Sequence, residues 1–155
     1  MKKCPPPFCV TTCCLFVLFA VLGCGQGTGT GNPAHLGSGL NTVSGAILQA
    51  TCKKLEVCHA VNREDCLEAV NVHTGFGPGF GLKMTPAPSG AEIQNLEASG
   101  QIKPSINEAL NCFNNLEALS CSSAEVQSAY DANAADPYAG TPGLLPAECT
   151  GIFGP

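Results

Sequence analysis

Residues 41–61, NTVSGAILQATCKKLEVCHAV, carry the helical pattern around which the rest of the fold is predicted. Side chains that recur every three or four residues share one face of a helix. On the first face these are apolar side chains and one histidine: Leu48, Cys52, Leu55 and His59. The opposite face carries Lys53, Lys54 and Glu56. The stretch is therefore predicted to be an amphipathic helix with His59 packed on its buried side.

A second helix is predicted immediately after the first. Asn62 is a good N-cap residue, and Asp65 follows it by three positions. REDCLEAV, residues 63–70, then forms a short helix whose first-turn acids suit the positive end of the helix dipole. The two helices are expected to form a hairpin that turns near Val61 and Asn62.

Three more short helices are predicted downstream. Ser89 with Glu92 forms a capping box before residues 90–98, and Ser122 with Glu125 forms another before residues 124–131. Residues 105–121 carry an apolar stripe between them: Ile106, Ala109, Leu110, Phe113 and Leu116. The predicted fold class is therefore mostly α, a small disulfide-stapled bundle of about five short helices with long Gly/Pro-rich loops.

The loops fall at residues 72–88 and 132–155, which are rich in glycine and proline. The second is expected to run irregularly over the surface. The first contains GFGPGFG, residues 75–81. One interpretation is a mobile aromatic loop in which Phe76, Phe80 and Met84 contact a ligand or partner. The favoured interpretation packs both phenylalanines onto the helices, because a core without tryptophan needs its aromatic side chains.

The N-terminus has the pattern of an export signal. Lys2 and Lys3 precede an apolar run, CLFVLFAVL, that is shorter than the roughly 20 residues of a membrane-spanning helix. A Gly/Thr-rich stretch follows it. These features predict a cleaved signal peptide over residues 1–23, a flexible tether over residues 24–40 and a Cys-rich helical domain over residues 41–155.

The number of cysteines singles out Cys24. Of the 11 cysteines, seven lie beyond the predicted cleavage site, and an exported chain with an odd number leaves one thiol unpaired. Setting Cys24 aside leaves six disulfide candidates: Cys52, Cys58, Cys66, Cys112, Cys121 and Cys149. The sequence does not select among their pairings. Helix geometry favours Cys58–Cys66 in the hairpin, Cys52–Cys112 between helices and Cys121–Cys149 at the tail.

The residues before this cysteine, Val21-Leu22-Gly23, resemble the lipobox of bacterial lipoproteins, in which a small residue precedes the cysteine that receives the lipid. The resemblance implies acylation of Cys24, for example with palmitate, and a membrane anchor. Gly25 stands where an Asp retains many lipoproteins at the inner membrane, so the outer membrane is the expected location. The alternative is ordinary signal cleavage that leaves Cys24 as a free thiol.

The cysteine spacing from Cys52 to Cys149 also resembles that of small Cys-rich helical lipoproteins of predatory and myxobacterial-type bacteria. That group has no assigned activity. The resemblance therefore implies an architecture and an extracytoplasmic compartment, and no mechanism.

The sequence shows no catalytic or metal-binding constellation. It contains no CxxC, HxxxH or GxSxG spacing, and His59 and His73 have no partnered carboxylate. No enzyme activity, metal or cofactor is therefore predicted. Removing the signal leaves five basic and twelve acidic residues, a formal net charge of −7, which argues against nucleic-acid binding.

Two functional hypotheses remain open. The first is a structural or protein-interaction module of the cell envelope, held at the membrane by its lipid and contacting an envelope protein or the cell wall. The second is a binding module for a small hydrophobic ligand, with Phe76, Phe80 and Met84 lining a cavity. An internal cavity between the helices would support the second hypothesis, and a filled core with an exposed apolar patch would support the first.

Overall fold

The computed structural model describes residues 42–130 and 135–154. These residues form six α-helices and two 3₁₀ helices, with no strand among them. The α-helices are α1 (Val43–His59), α2 (Arg63–Val72), α3 (Phe76–Gly79), α4 (Gly90–Ala98), α5 (Ile106–Ala118) and α6 (Ala124–Ala129). The 3₁₀ helices span Thr141–Leu144 and Ala147–Gly151. The predicted signal peptide, Cys24 and the tether lie outside the described residues.

The predicted fold class is confirmed. The described residues are mostly helical, and three disulfides staple them. The fully buried side chains come from all six α-helices and from the tail after α6, as in Leu48, Ile93, Leu116 and Ile152. One apolar core therefore holds the helices together.

The hairpin of α1 and α2 forms as the sequence predicts. Asn62 caps α2, and its Oδ1 accepts hydrogen bonds from the backbone N–H groups of Glu64 and Asp65 at 2.8 and 3.3 Å. α1 ends where Ala60 adopts the left-handed conformation, φ 53°, and donates its N–H to the carbonyl of Glu56. A residue in this conformation cannot continue a right-handed helix, so the chain turns here.

The two predicted capping boxes have different outcomes. The box before α4 is confirmed: Glu92 accepts from the Ser89 N–H at 2.7 Å, and Ser89 Oγ accepts from the Glu92 N–H at 3.3 Å. The predicted box before α6 is wrong: the N-cap is one residue later, and its N3 residue, Val126, has no side-chain acceptor to complete a box. Ser123 is the N-cap, accepting from the Val126 N–H, while the Ser122 hydroxyl bonds to Ser120.

The buried face of α5 is rotated from the predicted stripe. Ala109, Cys112 and Leu116 are fully buried, whereas Ile106 is 46% exposed. The reason is that α5 packs against the second 3₁₀ helix as well as against α1, so its buried face centres on Cys112.

The prediction that the tail runs over the surface was wrong for the described residues 135–154. Large side chains of this segment enter the core: Tyr138, Leu144, Cys149 and Ile152. The carbonyl of Ile152 accepts from the Ser105 N–H at 2.8 Å, and the Phe153 N–H donates to the Phe80 carbonyl at 3.2 Å. The tail has no helical period, so its burial depends on long-range contacts that a local pattern does not reveal.

Candidate functional site

All six cysteines of the described residues are paired. The disulfides are Cys52–Cys66, Cys58–Cys121 and Cys112–Cys149, with Cα–Cα distances of 5.7, 5.1 and 4.6 Å. They join α1 to α2, the end of α1 to the chain before α6, and α5 to the second 3₁₀ helix. Their closed loops predict about 3–4 kcal/mol of stabilisation each in a chain-entropy account.

Each of the three favoured pairings was wrong, and the direction of the side chains explains why. Cys52 and Cys58 are six residues apart on α1 and point about 120° away from each other. Cys52 is fully buried and faces Cys66 on α2, whereas Cys58 is only half-buried and faces the connection that contains Cys121. Cys112 then faces Cys149, because the tail packs on α5.

The favoured interpretation of the aromatic loop is confirmed. Phe76 and Phe80 are fully buried, with ring centroids 6.3 Å apart, and Phe153 meets Phe80 edge-on at 6.1 Å. The segment is not wholly irregular, because α3 lies within it. Gly81 closes it with φ 84°, and a Cβ at this position would overlap the Thr150 carbonyl oxygen. The glycine thus permits the tail to approach.

A groove of about 500 Å³ runs between the chain that precedes α4 and one face of α4 itself. We call it the α4 groove. Its apolar lining includes Met84, Pro86, Pro88 and Leu96, and its polar lining includes Glu92, Asn95, Ser99 and Gln101. Met84 is 44% exposed here. Of the three candidate contact residues, Met84 alone lines this groove, while Phe76 and Phe80 lie in the core.

The polar residues that line the α4 groove make local hydrogen bonds. Gln101 Nε2 donates to Ser99 Oγ at 3.0 Å, and that hydroxyl donates to the Leu96 carbonyl at 3.1 Å. The backbone N–H of Ser89, with a smaller contribution from its hydroxyl, holds the pKa of Glu92 below its ordinary value. The groove therefore combines apolar side chains with one carboxylate that stays ionised at neutral pH.

His59 packs as the sequence predicts. Its Nε2 lies 3.1 Å from the Val126 carbonyl oxygen, and its ring stacks on Tyr130 with centroids 5.2 Å apart. Tyr138 meets Tyr130 at 6.2 Å. Burial, and to a lesser degree the charge of Asp65, raises the pKa of Tyr138. This cluster joins α1 to α6 and the tail, and its histidine contact is to backbone.

His73 has a structural contact as well. Its Nδ1 accepts a hydrogen bond from the Gly75 N–H at 2.9 Å, and its ring meets Phe76 edge-on with centroids 6.0 Å apart. The imidazole therefore fixes the turn from α2 into α3.

The N-terminus of α1, to which the predicted tether leads, is clamped by a carboxylate from α4. Glu97 accepts from the Val43 N–H at 2.6 Å, from the Ser44 N–H at 2.9 Å and from the Ser44 hydroxyl at 2.7 Å. Thr42 Oγ1 accepts from the Gly45 N–H at 3.2 Å. These bonds satisfy donors that no residue within α1 can reach.

Neither the α4 groove nor the Glu97 clamp was predicted from the sequence. The signal for the groove was MTPAP, residues 84–88, because two prolines so close together keep this stretch from joining the helix that follows. The clamp has no local signal, since Glu97 and Val43 are 54 residues apart.

Within residues 42–130 and 135–154, no group of three or more His, Cys, Asp or Glu side chains is arranged to hold a metal ion. Over the same part of the chain, no helix combines the length and apolar character needed to cross a membrane.

No protein-family model, curated protein or solved structure matches this chain.

Proposed function

We propose that the chain is a membrane-anchored extracytoplasmic lipoprotein whose domain is a structural or protein-interaction module of the cell envelope. One observation carries the proposal: the six cysteines beyond residue 40 pair with one another in three disulfides. Cys24 is then the odd cysteine beyond the expected signal-cleavage site. Acylation of its sulfur gives this cysteine a chemical role in a compartment where disulfides persist.

The packing of the domain supports an interaction role over a ligand-enclosing one. Phe76 and Phe80 fill space that the ligand hypothesis required to be open, and their exposure is 0%. Three disulfides reduce the freedom of a small core, and a preorganised surface binds partners at a lower entropic cost. The formal charge of −7 beyond residue 23 favours a domain that stands off from anionic head groups.

Metabolic labelling with an alkyne-bearing fatty acid tests the anchor. The full chain, expressed in a diderm bacterium, is expected to incorporate the label and to sediment with the membranes. The Cys24→Ser variant is expected to lose both properties, because no sulfur remains to be acylated. A labelled Cys24→Ser variant, or an unlabelled wild-type chain, would contradict the proposal.

A photo-crosslinking amino acid, incorporated at one surface position at a time, tests the interaction role. Val72 is 73% exposed and Val57 is 71% exposed, on α2 and α1 respectively. Crosslinkers at these positions and at Met84 report on three parts of the surface in living cells. A module with a specific partner gives one discrete adduct from one part of the surface, whereas equal yields at all three positions would count against a specific partner.

The second candidate function is binding of a small hydrophobic ligand. The observation in its favour is the α4 groove, whose volume of about 500 Å³ lies within the range of small-molecule sites. Its occupant would contact Met84 and Leu96 rather than the buried phenylalanines.

A substitution that fills the groove tests this second candidate. Leu96→Trp occupies the groove, and Val72→Trp adds the same side chain at an exposed position that does not line it. Native mass spectrometry of protein extracted from membranes is expected to show a small-molecule adduct on wild type and on Val72→Trp only. If Leu96→Trp carries the same adduct, the groove is not the site.

A further inference from the structure

The three disulfides differ in their access to solvent. The cysteines of two of them are fully buried: Cys52, Cys66, Cys112 and Cys149. In the third, Cys58 is half-buried and Cys121 is exposed. A thiolate breaks a disulfide by approaching one sulfur directly, so access controls the rate of exchange. Among the described residues, Cys58–Cys121 is the disulfide whose cysteines are not fully buried, so it is the most accessible to such an attack.

A cation lies one helical turn from Cys58 on α1. Lys54 precedes Cys58 by one helical turn, which places both side chains on the same side of α1. The Lys54 Nζ donates to the carbonyl oxygens of Glu117 and Leu119 at 2.7 and 3.0 Å, and Leu119 is two residues before Cys121. A nearby ammonium stabilises a thiolate, and a stabilised thiolate leaves a disulfide faster.

We propose that Cys58–Cys121 is a thiol–disulfide exchange site that reacts with an external dithiol. A thiolate of the dithiol attacks Cys121 Sγ, the Cys58–Cys121 bond breaks, and Cys58 leaves as a thiolate that takes up a proton. The second thiol of the dithiol then attacks the dithiol sulfur that is bonded to Cys121, and Cys121 leaves as a thiolate that takes up a proton. Two electrons and two protons pass from the dithiol to the cysteines, and the dithiol becomes a disulfide.

Contacts that do not involve sulfur keep the consequence local. After reduction, His59 still contacts the Val126 carbonyl and stacks on Tyr130, so α6 keeps its attachment to α1. The two buried disulfides still join α1 to α2 and α5 to the tail. The chain between Leu119 and Ser123 gains freedom, while the core stays packed. The proposal concerns the domain and does not depend on acylation of Cys24.

Graded reduction of the native, fully oxidised chain tests the proposal. The chain is exposed to dithiothreitol without denaturant, quenched with iodoacetamide at intervals, and mapped by peptide mass spectrometry. Cys58 and Cys121 are expected to be alkylated together and at least about tenfold faster than the four buried cysteines. Equal rates for all six, or earlier labelling of a buried pair, would overturn the proposal.

Two variants test the role of the cation and the extent of the change. Lys54→Gln is expected to slow the reduction of Cys58–Cys121 several-fold, and the exposed Lys53→Gln control is expected to leave it unchanged. Equal slowing in both variants would contradict a specific role of Lys54. In Cys58→Ser/Cys121→Ser, faster amide exchange is expected to be confined to the chain from Leu119 to Ser123. Faster exchange throughout α1 and α5 would show that the change is not local.

Discussion

The α1–α2 hairpin and the C-terminal tail both reach the core, but they do so by different means. The hairpin presents buried residues at helical intervals, and its disulfide spans 14 residues. The tail has two short 3₁₀ helices, and its disulfide, Cys112–Cys149, spans 37 residues. Burial in the hairpin thus follows from a local pattern, while burial in the tail follows from contacts with distant parts of the chain. The comparison predicts that the tail is the more sensitive to the loss of a single contact.

Of the two disulfides in this comparison, the tail disulfide is expected to cost more when it is lost. Cys112→Ser/Cys149→Ser should lower the free energy of unfolding by about 4 kcal/mol, because the longer loop is released in the unfolded chain. The amides of residues 141–152 should lose protection from hydrogen exchange while those of α1 retain it. In the matched variant Cys52→Ser/Cys66→Ser the loss should be about 3 kcal/mol. Unchanged protection in the tail would contradict the comparison.

Phe80 is the next test, because its ring and its backbone both contact the tail. Phe80→Ala removes a fully buried ring between Phe76 and Phe153 and should cost about 3–5 kcal/mol, measured by urea unfolding. Met84→Ala, at a 44% exposed position in the same segment, should cost less than about 1 kcal/mol. Similar losses for the two variants would show that Phe80 is not part of the core.

The Glu97 clamp tests the hairpin side of the comparison. Glu97→Gln replaces a carboxylate that accepts three hydrogen bonds with an amide whose NH₂ group cannot accept. The expected cost is about 1–2 kcal/mol, with faster amide exchange in the first turn of α1. Glu68→Gln, at an exposed position on α2, is the control and should be neutral. If Glu97→Gln and Glu68→Gln lower the free energy of unfolding equally, the loss of a negative charge explains the effect and the clamp does not.

A stabilising substitution tests the packing of the tail around Thr141. Thr141 is fully buried, and its Oγ1 has no hydrogen-bond partner among the described residues. Thr141→Val removes an unsatisfied hydroxyl with little change of shape and should raise the free energy of unfolding by about 1 kcal/mol. Thr150→Val removes a hydroxyl that donates to the Ala147 carbonyl at 2.7 Å, so it should be slightly destabilising. A destabilised Thr141→Val variant would mean that the hydroxyl has a partner in solution.

The smallest expected effect is a pH dependence at the α4 groove. The folded pKa of Glu92 lies below its ordinary value, because the Ser89 N–H donates to the ionised form. Its contribution to stability is therefore present above the unfolded pKa of about 4.5 and is lost as the pH falls through the folded pKa. Melting temperatures of wild type and Glu92→Gln should converge on acidification below pH 4.5. Parallel curves would contradict this assignment.

The parts of the fold that the sequence predicts are those set by neighbours along the chain. The Asn62 cap, the Ser89–Glu92 box and the hairpin have local hydrogen bonds or a helical period, and they are confirmed. The disulfide pairings and the Glu97 clamp join residues up to 63 positions apart. Their geometry depends on how the helices rotate about one another, which the sequence pattern does not specify. Of the candidate contact residues, Met84 was predicted beside a ligand surface, but the groove around it depends on α4.

The intact mass of the chain, extracted from membranes and kept unreduced, tests the central claim most directly. The account predicts a species that lacks residues 1–23, carries a diacylglycerol-type mass on Cys24 and has six hydrogens fewer than its reduced form. Iodoacetamide should add nothing before reduction. A soluble species whose Cys24 thiol is free to react with iodoacetamide would contradict the claim.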